Sequence, residues 1–156
     1  MAVGRTYVYV VKSTSGVGLT PWIQVATPSA TAIEFMRLEL GQEDSTVSQM
    51  ETLEMTRRTT NSTLPNVAER TPINANDPAT QLVGSSITNA IGIATGTGSF
   101  GASLMRWNFN VLNGLLYVPV PEERPLVGPG GFSTFQFTAS PAGATWSGHI
   151  IYREIT

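Results

Sequence analysis

The chain has no cysteine, a single histidine (His149) and a single lysine (Lys12) among 156 residues, and only 13% of it is charged. Without cysteine there are no disulfides and no thiolate chemistry. One histidine leaves a metal ion short of the nitrogen and sulfur ligands that structural and catalytic sites use. The formal net charge is −2, and the eight arginines are scattered apart from the Arg57–Arg58 pair. The basic stripe that tracks a phosphate backbone is therefore missing, and nucleic acid is not an expected partner. No run approaches the roughly 20 apolar residues of a membrane-spanning helix, so a membrane is not an expected partner either. The opening Met1-Ala2-Val3-Gly4-Arg5 carries no apolar core or cleavage pattern, from which a cytoplasmic protein, or one assembled there, is expected.

Small, turn-forming and β-favouring residues take the place of charge. There are 15 glycines, 10 prolines, 20 threonines and 13 serines. Long surface helices need Glu, Lys, Arg and Ala on their wet faces, so this composition points to strands and turns. Residues 5–13 crowd Tyr, Val and Thr and predict a strand, followed by a short one over 22–26. Residues 31–41 alternate, with Ile33, Phe35, Leu38 and Leu40 apolar and Glu34, Arg37 and Glu39 between them. The step from odd to even positions places a bulge at Met36.

Residues 43–60 fit neither period well: Ser45 and Ser48 with Glu51 and Glu54 could begin a helix, while the threonines at 52, 56, 59 and 60 predict a strand over about 51–59. Residues 61–82, punctuated by Pro65, Pro72 and Pro78, read as one long loop of the kind that is usually functional or lies on a neighbour. Further strands are expected over 84–95, 103–111, 115–120, 132–139 and 145–155, with Asn113-Gly114 as a two-residue hairpin turn. Eight or nine strands without a β-α alternation predict a single all-β domain over 1–156, an antiparallel two-sheet β-sandwich of jelly-roll type.

No constellation in the sequence organises catalysis or a cofactor. Gly96-Thr97-Gly98-Ser99-Phe100-Gly101 matches G-x-G-x-x-G. A dinucleotide site needs a helix straight after the glycines, and Trp107-Asn108-Phe109-Asn110 reads as strand. His149 lies in the last strand, and its only candidate triad partners, Asp44 and Asp77, fall in polar loops. Glu122 and Glu123 are adjacent, so on an extended chain they point apart. Asp77 before Pro78 reads as a turn former. Trp22, Trp107 and Trp146 read first as core residues; a sugar-binding platform would need them together on one exposed face. What remains is a module that works through its surface, with no enzyme activity and no cofactor expected.

The run from Phe109 through Asn113-Gly114-Leu115-Leu116-Tyr117-Val118-Pro119-Val120-Pro121-Glu122-Glu123-Arg124 to Pro125 resembles a segment of small proteins of tailed bacteriophages. So does Ser140-Pro141-Ala142 followed by Thr145-Trp146-Ser147-Gly148-His149-Ile150. A looser likeness covers residues 31–41 and Asn76-Asp77-Pro78-Ala79; residues 43–60 depart from it, and the Gly96–Gly101 loop is not diagnostic. Those proteins are similar to capsid decoration, or cement, proteins with a jelly-roll fold.

The resemblance implies a virion protein on the capsid exterior, assembled in the cytoplasm of a bacterial host. Its implied partners are the major capsid protein and itself, as a homodimer or homotrimer, and its implied role is to bridge capsid subunits and stabilise the assembled icosahedral head. The residues expected at the capsid or oligomer interface are Tyr117, Glu122, Glu123 and Arg124, together with Asn76 and Asp77. The other reading of such a module is a receptor- or glycan-binding jelly roll of a phage fibre or spike.

Overall fold

A computed structural model describes residues 4–15, 22–44, 48–60, 63–66, 70–80, 82, 90–95, 100–139 and 145–156. The described residues form twelve strands: β1 (Arg5–Ser15), β2 (Ile23–Ala26), β3 (Ala32–Gln42), β4 (Met50–Arg58), β5 (Thr63–Asn66), β6 (Arg70–Pro72), β7 (Ala90–Thr95), β8 (Phe100–Asn110), β9 (Leu115–Tyr117), β10 (Leu126–Val127), β11 (Phe132–Phe137) and β12 (Thr145–Ile155). The one helical piece among them is a 3-10 turn at Pro121–Glu123. In one sheet the order is β10-β3-β12-β1-β6, with β9 also on β3; in the other it is β5-β7-β2-β11-β4-β8. The protein is an all-β, two-sheet antiparallel sandwich, as its composition predicts.

The pairings nest. β1 pairs with β12, β2 with β11, β3 with β9 and β10, and β4 with β8. The chain is thus a long hairpin folded over itself, and the fold is closed by β12 lying on β3 and β11 on β4. β5, β6 and β7 are additions at the far edges.

Alternation in the sequence decides which side chains fill the space between the sheets. β3 buries Ile33, Phe35, Leu38 and Leu40. Opposite it on β12, Ile151 faces Arg37 but Tyr152 faces Phe35, so Met36 is the extra residue. This bulge lets the odd and the even apolar positions of one strand point the same way. The core joins Tyr7, Tyr9 and Val11 of β1 and Trp146, Ile150 and Tyr152 of β12 to Ile23, Val25, Leu53, Met55, Phe135 and Phe137 of the other sheet. Its rings interlock, with Trp22–Phe137 and Phe137–Trp146 centroids 5.1 Å apart and Phe35–Phe135 5.3 Å apart. Each such side chain contributes roughly 1.5–3 kcal/mol by leaving water.

Three expectations from the sequence change. First, residues 61–82 are not one loop: β5 and β6 lie within them, at the outer edges of the two sheets. Pro65 and Pro72 belong to these edge strands, where a missing N–H interrupts no ladder. The chain after β6 folds back over the core, where the Pro78 carbonyl accepts the Tyr7 hydroxyl at 3.1 Å, Thr80 bonds Glu154 and Tyr152, and Leu82 is fully buried.

Second, Asn113-Gly114 is not a hairpin turn. β8 and β9 belong to different sheets and do not pair. Asn113 N–H closes a turn on the Asn110 carbonyl, and Gly114, at φ +68°, swings the chain across the sandwich. A Cβ at Gly114 would stand 2.6 Å from the Leu40 carbonyl oxygen, so the corner needs glycine. Third, the strand expected over 115–120 stops at Tyr117, because Pro119 and Pro121 cannot donate to a ladder. Of the strand expected over 84–95, residues 90–95 form β7; 84–89 lie outside the described residues, as do residues 96–99 of the glycine motif. The motif's last two residues open β8, so a strand follows them.

Candidate interaction surface

β9 and β10 are two ends of one broken edge strand. Tyr117 faces Leu38 of β3, and Leu126 faces Glu34. Between those points β3 spends residues 35–37 while the edge spends 118–125. The surplus is pushed outward as an excursion. It is fixed at its end by Phe35 N–H donating to the Pro125 carbonyl (3.0 Å), and its 3-10 turn is closed by Glu123 N–H on Val120 (3.0 Å). Pro119 and Pro125 are buried, whereas Leu116, Val118, Val120 and Leu126 are 49–62% exposed. Leu112, at the corner before β9, is also exposed. Most exposed large apolar side chains of the described residues therefore gather along this one edge; the others are Met50 and Ile73. Such clustering, rather than single exposed residues, marks an interaction surface.

The neighbouring outer face of the β3 sheet carries charge that balances locally. Glu34 lies between Arg153 (2.5 Å) and Arg124 (3.7 Å). Glu39 pairs with Arg37 and lies 3.7 Å from His149 Nε2. Glu122 and Glu123 stand exposed on the 3-10 turn at the tip of the excursion. The edge thus presents apolar side chains with acidic groups beside them.

The six residues expected at the interface separate. Glu122 and Glu123 are surface groups of the excursion. Arg124 is half-buried and tethers the excursion to Glu34 of β3. Tyr117 turns inward: its ring lies 4.9 Å from Trp107 and its hydroxyl reaches Met105 Sδ at 3.0 Å, closing the flank between the sheets. Burial, and then the Glu123 carboxylate, raise its phenol pKa above 10.0. Asn76 and Asp77 form a turn in which Asn76 N–H donates to the Asn74 side chain and Asp77 N–H to the Asn74 carbonyl. That turn follows β6, on the opposite edge, with β1, β12 and β3 between, a separation of roughly 19 Å. The sequence reading missed Leu112, Leu116, Val118, Val120 and Leu126. The available signal was apolar residues at both parities, 115, 116, 118 and 120, in a stretch whose prolines forbid a regular ladder.

Below the same flank lies a cleft of about 420 Å³ lined by Arg57, Arg58, Leu104, Leu126, Val127 and Ser133, among others. Burial lowers the Arg58 guanidinium pKa from its ordinary value. Trp22 and Trp146 are buried, and Trp107 packs on Tyr117 and Phe135, so the tryptophans form no exposed platform. His149 and Asp44 do not meet: Asp44 accepts from Thr145, and His149 faces Glu39. Comparison with known protein families, with curated proteins and with solved structures finds no match for this chain.

Proposed function

We propose that this protein is a capsid decoration protein: it binds the outside of an assembled phage head and clamps neighbouring major capsid protein subunits. The observation that carries the reading is the apolar edge of Leu116, Val118, Val120 and Leu126. It lies within, or one residue beyond, the segment whose sequence resembles decoration proteins; Val118 and Val120 ride on the excursion, and Leu116 and Leu126 lie on the strands at its two ends. Proline and the excursion deny this edge a backbone ladder, so contact there runs through side chains. Burying one such side chain contributes roughly 1.5–3 kcal/mol. A single patch is modest, but patches held together by an oligomer engage a repeating lattice with avidity.

The sandwich is read as a jelly roll. Support comes from the nested pairing of β1 to β12, β2 to β11, β3 to β9/β10 and β4 to β8, a hairpin rolled into two facing sheets. The inward tryptophans count against a sugar-binding platform. The test is cosedimentation with expanded heads assembled without the protein, beside free capsid subunits. Binding to heads and not to subunits is expected; binding to neither overturns the reading.

A further inference from the structure

Of the sheet edges formed by the described residues, three are guarded. β6 has three residues and ends on Pro72, β5 has four and includes Pro65, and the β9–β10 edge is interrupted by Pro119, Pro121 and Pro125. The fourth is β8, with 11 residues and neither proline nor lysine, the usual guards of an open edge. Its register against β4 shifts between Phe100 and Met105, and it then runs regularly from Met105 to Asn110.

Two hydrogen bonds fix where the backbone of that regular half points. Val111 N–H donates to the Gln49 carbonyl, continuing the β8–β4 ladder, and Thr138 N–H donates to the Thr52 carbonyl on the other side of β4. Antiparallel ladders alternate, so Met105, Trp107 and Phe109 spend their N–H and C=O on β4. Arg106, Asn108 and Asn110 turn theirs away from the sheet. The Asn110 carbonyl is taken by Asn113 N–H. Among the described residues, the outward edge therefore offers complete N–H and C=O pairs at Arg106 and Asn108.

We infer that β8 pairs antiparallel with β8 of a second copy about a two-fold axis at Trp107, joining two six-stranded sheets edge to edge. Opposed residues must share a face, which leaves few registers. An axis at Arg106 would set arginine against arginine. An axis at Asn108 would oppose Arg106 to Asn110, whose carbonyl is already engaged. An axis at Trp107 sets Arg106 against the second copy's Asn108, in two reciprocal pairs of N–H···O=C bonds. It also brings the two Trp107 residues together at the non-hydrogen-bonded position, where strands approach to about 4.5 Å. Trp107 is half-buried in the single chain, with ring left to cover, and Met105 then faces Phe109 on the same side. Glu54 lies beside Arg106 on β4, so the seam is balanced in charge.

The test is the dimer dissociation constant of the purified chain by sedimentation velocity. The chain is expected to shift from 16.7 kDa to twice that mass as concentration rises. Asn108→Pro removes an N–H that points outward, so the β4 ladder stays whole, the circular dichroism spectrum holds and the dimer is lost. Asn108→Lys sets lysine against Arg106 and weakens the dimer roughly tenfold, while Asn108→Glu strengthens it. A wild-type chain that stays monomeric to about 100 μM, or a dimer indifferent to all three substitutions, overturns the inference. The capsid reading stands apart from it: a monomer that binds heads sinks the seam alone, and a dimer indifferent to heads sinks only the capsid reading.

Discussion

Replacing Gly148 with alanine should destabilise the protein more than any other single methyl addition at its described glycines. Gly148 sits in the middle of β12, opposite Leu40 of β3 and Val11 of β1, at φ +156°. A Cβ there would stand 2.0 Å from the Glu39 carbonyl oxygen and 3.0 Å from Leu40 Cα, both backbone atoms that no rotamer can move aside. To admit it, β3 and β12 must part by more than 1 Å, which breaks ladder bonds worth about 1 kcal/mol each, beyond about 1–3 kcal/mol for the backbone conformation. The expected loss is about 3–5 kcal/mol, a large part of the 5–15 kcal/mol that holds a typical domain together. Gly41→Ala is the control, one residue from Leu40 on the adjoining strand, with nothing within 4 Å of its Cβ position. Urea unfolding at equilibrium measures both: the Gly148→Ala midpoint should fall with its slope unchanged, while Gly41→Ala stays within about 0.5 kcal/mol of wild type. A Gly148→Ala protein as stable as the control would refute the close approach of β3 and β12.

Other outcomes follow from the same packing. Burial raises the Glu51 carboxyl pKa above 4.5, against the opposing hydrogen bond from Gln49 (2.6 Å). The folded chain therefore holds this proton more tightly than the unfolded one, and stability falls as pH climbs from the unfolded value through the raised one. Glu51→Gln should be more stable than wild type at pH 7, with the gain fading below about pH 4, as read by denaturant unfolding at both pH values. Tyr117→Ala opens the flank against Trp107 and Met105 and should cost about 3–5 kcal/mol; Tyr117→Phe, losing only the contact to Met105 Sδ, should cost under about 1 kcal/mol in the same assay.

The sequence disclosed periodicity better than placement. β3 and the regular half of β8 were legible because alternation of period two survives any arrangement of strands, and the parity change between Phe35 and Leu38 located a bulge without a partner strand in view. The 61–82 stretch misled because prolines that end a central strand are tolerated at an edge, and edge position belongs to the sheet order, not to the local residues. Asn113-Gly114 carried a strong local turn signal, yet whether a turn pairs its flanking strands or sends them to opposite sheets depends on what Leu115 meets, here Leu40. The candidate interface divided for the same reason: Asn76 and Asp77 follow one edge of a sheet, Glu122 and Glu123 the other. Tyr117 is expected at an interface because it lies in the segment that resembles decoration proteins; the sandwich flank supplies Trp107 and Met105 to cover it.

The capsid reading depends on the apolar edge, and heat-induced DNA release tests it most directly. On that reading, phage heads assembled without the protein are heated alone, with the wild-type chain, and with Leu116→Asp/Val118→Asp/Val120→Asp. All three positions are exposed, so the triple variant should keep the wild-type unfolding midpoint. Wild type is expected to raise the temperature at which DNA escapes, and the triple variant to leave it at that of bare heads. Release unchanged by wild type, or protection by the triple variant equal to wild type, would contradict the account.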